Sequence, residues 1–285
     1  MFSWKKLASA KWEDAWIERL SLIDPTQLAV SSLPGGKSIR IEAYSLTKAE
    51  AEKLVKQFGG VIRKLKPGGP VPKSPPREPI RIRENLIIVA SDREKKSAAK
   101  EFPGRNILLV PAAMAFGTGE HATTATCLRL LSDASGALRG ERWEMLDLGT
   151  GSGILAMAAR VFGARKAMAC DFDPHAVRTA QENVRANEMD AVTVKKLDVL
   201  QWTPKRTWDV VAANLFSEVL IRASGSIAQA VRPGGRLIFS GILRLQENET
   251  VEAFRRQRMQ IDGIARKGKW VSVIATRPSG CDRPL

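Results

Sequence analysis

An apolar strand that runs straight into Asp147-Leu-Gly-Thr-Gly-Ser-Gly153, and from there into a helix through Arg160, constrains this chain more than any other feature. Glycine at every second position lets the backbone turn tightly and approach a ligand closely, beside the unpaired N–H groups of a helix start. The alternation then continues. Strands are expected at Met145-Leu146, Ala167 to Cys170, Val192 to Lys195, Val210 to Ala213 and Arg236 to Ser240, with helices over Pro174 to Ala186 and Glu218 to Ala230. Strands separated by helical crossovers pair in parallel, so the pattern predicts an α/β fold with a doubly wound, mostly parallel seven-stranded sheet. A helix near Val251 to Arg258 and a hairpin of Met259 to Ile264 with Trp270 to Thr276 are expected to close it.

The N-terminal part reads differently. Trp12, Trp16 and Leu20 share one face at helical spacing, which predicts an amphipathic helix over Trp12 to Leu22 with its tryptophans in a core. Ile39, Ile41 and Ala43 alternate with Arg40 and Glu42 in a half-buried strand. Thr47 and Glu50 make a capping box before Ala51, Leu54 and Val55, Gly59-Gly60 supplies the stop, and Val61 to Leu65 returns as a strand. Residues 1–65 are therefore expected to form a small α/β domain for substrate recognition. Residues 66–79 hold six prolines and two glycines, a composition of extended linker chain. The larger domain, 80–285, opens with a strand over Ile80 to Ala90, a loop into a strand from Glu101 to Val110, and a helix to Leu131 that begins at Thr123 or Thr124.

Composition narrows the chemistry. Three cysteines, Cys127, Cys170 and Cys281, stand far apart beside two histidines, which argues against a metal site or a disulfide framework and fits a reducing cytoplasm. No apolar run is long enough to cross a membrane. Forty-five Lys and Arg against thirty Asp and Glu give a formal charge of +15, which attracts polyanions and is equally compatible with a solvated basic surface.

Asp171 lies about twenty residues beyond the glycine turn at the end of the next strand, where a carboxylate can accept hydrogen bonds from both ribose hydroxyls of a nucleotide-like ligand. Asp173, directly before Pro174, is the better candidate for the following helix cap. The spacing GTGSGI lacks the third glycine position of dinucleotide turns, and resembles instead the turn of class I methyltransferases, which faces the amino-acid end of S-adenosylmethionine.

Three further segments sharpen this resemblance: Ala115-Phe-Gly-Thr-Gly-Glu-His-Ala-Thr-Thr124, Val211-Ala-Ala-Asn-Leu215, and the stretch from Gly234 to Leu243. Together with LDLGTGSGILAMAA and CDFDP, they are similar to the bacterial ribosomal protein methyltransferases of the PrmA family, from about Pro79 to Thr276. The resemblance implies S-adenosylmethionine as cofactor, and amino groups of large-subunit ribosomal protein eleven, lysine or N-terminal, as acceptors. It implies a cofactor site at Gly149, Gly151, Gly153, Thr124 and Asp171, with Phe116 enclosing the cofactor and Asn214 beside the methyl-transfer centre. Asp198 matches a position that faces the adenine, and reads equally as a loop aspartate. His121 is a candidate proton acceptor, or else a brace for the helix that follows it. Partners would be the ribosomal protein and, through the basic surface, the ribosomal particle or its RNA.

The chain departs from the family in its short N-terminal region, its proline-rich linker, and the wording Asn214-Leu-Phe-Ser-Glu218 where asparagine-isoleucine-leucine-alanine is usual. That last change can reshape the acceptor pocket. Two rivals remain. An RNA base methyltransferase would suit the charge, with Phe216 stacking on a flipped base, although the prolyl-aromatic loop common to such enzymes is replaced by Asn-Leu-Phe. A noncatalytic binding scaffold would keep the fold without using Asn214.

Overall fold

The computed structural model describes residues 1–10, 16, 19–20, 23, 27–33, 37–65, 79–111, 119 and 121–280. The chain divides into two compact units, Met1–Arg77 and Glu78–Leu285. The proline-rich stretch 66–78, expected as linker, lies outside the described residues, as does most of the helix expected at Trp12 to Leu22.

In the first unit four antiparallel strands, β1 (Phe2–Ser9), β2 (Leu28–Ser32), β3 (Ser38–Leu46) and β4 (Val61–Lys64), stand in the order β2-β3-β1-β4. Helix α1 (Lys48–Phe58) starts on the expected capping box: the Glu50 N–H donates to Thr47 Oγ1 at 3.3 Å and the Thr47 N–H to the Glu50 carboxylate at 2.8 Å. Trp4, Ile39, Ile41, Ala43, Ala51 and Leu54 form the core together with Trp16 and Leu20. The Leu20 N–H donates to the Trp16 carbonyl at 3.1 Å, a helical span. Strands β1 and β2 were not anticipated.

The second unit begins with β5 (Ile80–Ile82) and β6 (Leu86–Val89), a hairpin where one strand was expected; the chain turns at Arg83, whose φ is +48°. β7 (Asn106–Leu109) pairs parallel to β6 after α2 (Asp92–Glu101), a helix N-capped by Ser91. Helix α3 (Ala122–Gly136) then leads to the main sheet.

That sheet has seven strands: β8 (Glu144–Leu148), β9 (Lys166–Asp171), β10 (Val192–Lys196), β11 (Trp208–Asn214), β12 (Val231–Leu243), β13 (Gln260–Lys267) and β14 (Trp270–Thr276). Their order is β10-β9-β8-β11-β12-β14-β13, and only β14 runs against its neighbours. Helices α4 (Ile154–Val161) and α5 (Pro174–Ala186) cross between the first three strands. Asp173 caps α5 by accepting the His175 N–H at 2.9 Å, with Pro174 in the first turn as expected.

Between β11 and β12 the single helix expected over Glu218 to Ala230 is two, α6 (Ser217–Arg222) and α7 (Ser224–Ala230), divided at Ala223. α8 (Glu247–Arg256) follows β12. Consecutive strand residues face opposite sides. Met145, Val210, Ala212 and Ile238 therefore meet α3, α4 and α5 through Leu128, Met157 and Val184, whereas Leu146, Val211, Ala213 and Phe239 meet α6, α7 and α8 through Leu220, Ile227 and Phe254. Both faces of the sheet are covered, so its open carboxyl edge is where a ligand can reach the strands.

Candidate cofactor and acceptor site

Strand order reverses between β8 and β11, so the connections leaving their carboxyl ends diverge to opposite faces and leave a crevice, the usual ligand position in open α/β sheets. The glycine turn occupies one side of it. The N–H groups of Gly149 and Thr150 both donate to the Cys170 carbonyl at 2.9 Å, which ties the turn to the end of β9. The Gly151 N–H donates to Asp171 Oδ2 at 2.9 Å and the Asp173 N–H to Asp171 Oδ1 at 3.1 Å. Each carboxylate oxygen has a further lone pair for a ligand hydroxyl. Gly153 enters α4 in the left-handed conformation with no side-chain cap, and within the first turn the Ala156 N–H is held by the Asp147 carboxylate.

On the other side of the crevice β11 ends at Asn214. Its Nδ2 donates to Thr124 Oγ1 at 3.4 Å, and its Oδ1 is buried without a hydrogen-bond partner. Leu215 fixes this strand end. Its N–H donates to the Ser240 carbonyl at 3.0 Å, and its side chain fills the space above Gly149, where an added β-carbon would stand 2.2 Å from Leu215 Cδ2 and 3.9 Å from the Asn214 carbonyl oxygen. The turn and Asn214 are thus adjacent.

His121 caps α3. Its Nδ1 lies 2.7 Å from Thr123 Oγ1 and accepts the Thr123 N–H at 3.4 Å, and its ring stands edge-on to Trp270 with centroids 5.0 Å apart. This geometry favours the bracing reading. Asp198 accepts the Leu200 N–H at 3.0 Å and Gln201 Nε2 at 2.9 Å, as a loop aspartate does. Phe116 and most of its loop lie outside the described residues.

Three residues stand in the segments that carry the resemblance but had no role of their own in the sequence. Asp147 is 0% exposed; Thr150 Oγ1 donates to its Oδ2 at 2.5 Å, while its Oδ1 has no partner. Burial pushes its carboxyl up to about 7, against the hydrogen bonds from Thr150 and the Ala156 N–H and with help from the nearby Asp171 charge. Phe172, directly after Asp171, is 68% exposed at the rim of the crevice. Gly241 sits at an irregularity of β12 and accommodates the Leu215 backbone. The acidic residue opening the glycine segment was a signal for Asp147; Gly241 lies in the Gly234 to Leu243 segment, but its contact with Leu215 has no local signal. Burial also pushes the Cys127 and Cys170 thiols up to about 12, which removes them as neutral-pH nucleophiles.

A two-faced α/β sheet with a reversed seventh strand, a glycine turn at the switch point and an acidic residue ending the second strand defines a methyltransferase domain of class I. A family model described as Ribosomal protein L11 methyltransferase (PrmA) matches residues 76–278, and the chain belongs to that family. It is 40% identical over 223 residues to the Ribosomal protein L11 methyltransferase of Chloroflexus aurantiacus, covering 70% of this chain and 66% of that one. With the same-named protein of Listeria innocua it shares 36% over 200 residues, covering 70% of this chain and 61% of the relative. The chain thus spans about three fifths to two thirds of the length of these relatives. The solved structure of a ribosomal protein L11 methylase from Lactobacillus delbrueckii subsp. bulgaricus superposes with a TM-score of 0.62 at 28% identity, covering 71% of this chain and all of that one.

Proposed function

We propose that the chain transfers methyl groups from S-adenosylmethionine to amino groups of a ribosomal protein, the large-subunit protein after which its family is named. The observation that carries this reading is the buried, partnerless Oδ1 of Asn214 beside the glycine turn. An acceptor atom left so costs about 1–3 kcal/mol until a donor reaches it, and an amine entering the crevice supplies that donor. Asp147 Oδ1 is a second such atom, on the turn side, and suits the positively charged amino-acid end of the cofactor. The residues present therefore fit the cofactor: Asp171 would hold the ribose hydroxyls, the turn and the start of α4 the amino-acid end, Thr124 would brace Asn214, and Phe172 would cover the adenine.

The cofactor, when bound, supplies an activated methyl group on a cationic sulfur. The protein's part is to hold the acceptor nitrogen in line with it, a positioning effect that can account for much of the rate. Lysine, at a pKa near 10.4, is neutral in fewer than about one molecule in a thousand at pH 7, a deficit of roughly 4–5 kcal/mol. Apolar surroundings lower that pKa. The Asn214 oxygen would then accept one N–H of the neutral amine and turn its lone pair toward the methyl group. The net charge of +15 supports an approach to a ribosomal particle, an attraction that weakens with salt.

The test uses radiolabelled S-adenosylmethionine and ribosomal extract, with protein and RNA separated afterwards. Wild type is expected to label a single ribosomal protein. Asp171→Ala loses two charge-assisted hydrogen bonds, each on the order of 1.5–3 kcal/mol, and should weaken cofactor binding roughly a hundredfold or more. Label in RNA alone would move the assignment to a base methyltransferase, and a lack of cofactor affinity in the isolated protein would favour a scaffold.

A further inference from the structure

Two large apolar side chains are left in solvent at the mouth of this crevice. Phe216 is 77% exposed, two residues beyond Asn214, and Leu245, in the short 3-10 turn Arg244–Gln246 that follows β12, is 98% exposed. They belong to one local structure: Ser217 Oγ donates to Gln246 Oε1 at 2.9 Å, so a single hydrogen bond joins the chain neighbours of the two residues. Both segments are rigidly held. Leu215 is fixed by its bond to Ser240, Ser217 is buried, and the Arg244 N–H donates to the Lys269 carbonyl at 2.9 Å.

Exposed singly, such residues need no explanation. Joined through the Ser217–Gln246 bond, with Phe216 two residues from the buried, partnerless Asn214 oxygen, they have one. We infer that Phe216 and Leu245 form an apolar gate that receives the aliphatic stem of a lysine side chain and so selects the acceptor whose amine reaches Asn214. This rests on methyl transfer to an amine as proposed above. A lysine side chain has the matching build, an apolar stem ending in a cation. The surroundings match its charge: Glu218, next along from Ser217, keeps a largely exposed carboxylate whose ion pair with Arg222 spans 3.8 Å on the surface, a pair that contributes little and leaves the carboxylate open to an arriving ammonium. Packing of the stem against these apolar side chains then removes water from beside the amine and favours the neutral form that the reaction requires.

The experiment compares wild type with Phe216→Ala, Leu245→Ala and the conservative Phe216→Leu, using full-length chain, S-adenosylmethionine and the purified, unmethylated ribosomal protein. Because both side chains stand in solvent, truncation should leave folding intact, which circular dichroism checks. Each alanine variant is expected to raise KM for the ribosomal protein by about tenfold, with the cofactor Kd by calorimetry unchanged and Phe216→Leu recovering most of the loss. Wild-type KM in both alanine variants overturns the gate while methyl transfer stands. A loss that tracks cofactor Kd, or that tracks loss of self-association in sedimentation, also overturns it, by assigning the pair to cofactor binding or to a contact between copies. No methylation of the ribosomal protein by wild type removes the parent reading and the gate with it.

Discussion

Gly241→Ala is expected to lower stability by about 2–5 kcal/mol and to reduce the methylation rate at least about a hundredfold. Gly241 has φ +88°, and a β-carbon there would stand 2.3 Å from the Leu215 carbonyl oxygen and 2.8 Å from its carbonyl carbon. The left-handed backbone costs a non-glycine residue roughly 1–2 kcal/mol, and overpacking typically adds about 1–3 kcal/mol. The clash is with backbone, so no side-chain rotation relieves it. What must move is Leu215, whose side chain is already against Gly149, and Asn214 moves with it. A displacement of about 1 Å at a positioning group can cost roughly a hundredfold in rate. Gly136→Ala, at the end of α3 with nothing within 4 Å of the added carbon, is the control and should change neither quantity adversely. Denaturant titration and initial rates check both; wild-type activity in Gly241→Ala would mean that the Leu215 wedge does not hold Asn214 in place.

Asp147 gives the second large effect, and its direction follows from burial. A carboxyl with an ordinary value of 3.8 is held at about 7 in the folded chain. The folded state therefore retains a proton that the unfolded state has lost, and the stability present below pH 4 is withdrawn as pH rises through 7. The full difference is about 4 kcal/mol. Cofactor-free protein is thus expected to be markedly less stable at pH 8 than at pH 5, and Asp147→Asn, which carries no charge, should flatten that slope. Glu50 and Glu247, whose carboxyls are held below their ordinary value by hydrogen bonds to Thr47 and Arg266, act only at lower pH and in the opposite sense. A cationic ligand beside Asp147 favours the ionised form, so cofactor affinity should rise between pH 6 and 8 in wild type and lose that rise in Asp147→Asn. Calorimetric titrations at three pH values decide this, and an equal slope in both proteins would place the titration elsewhere.

What could be read in the sequence was what local chemistry determines. The Thr47–Glu50 box, the Asp173-Pro174 start of α5 and the strand–turn–helix at Gly149 each depend on residues within a few positions of one another, and each stands where it was expected. Elements with weak patterns were missed. Helix α2, DREKKSAAKE, buries only Ala98, so it has hardly any apolar period to detect. Strand β1 places Lys6 between Trp4 and Ala8 on one face, which hides its alternation. The apolar run after Ile80 looked like one strand because the turn at Arg83 contains neither glycine nor proline. Asn214 and Asp171 were visible through their motifs, whereas the contact of Gly241 with Leu215 joins residues of different strands and exists only once the sheet has formed.

The measurement that tests the central claim most directly is the intact mass of the purified, unmethylated ribosomal protein L11 after incubation with this chain and S-adenosylmethionine. The account predicts a rise in whole methyl increments, mapping on proteolysis to amino groups and much slower with Asn214→Ala. A protein that stays at its starting mass while ribosomal RNA in a parallel reaction gains methyl groups would contradict it.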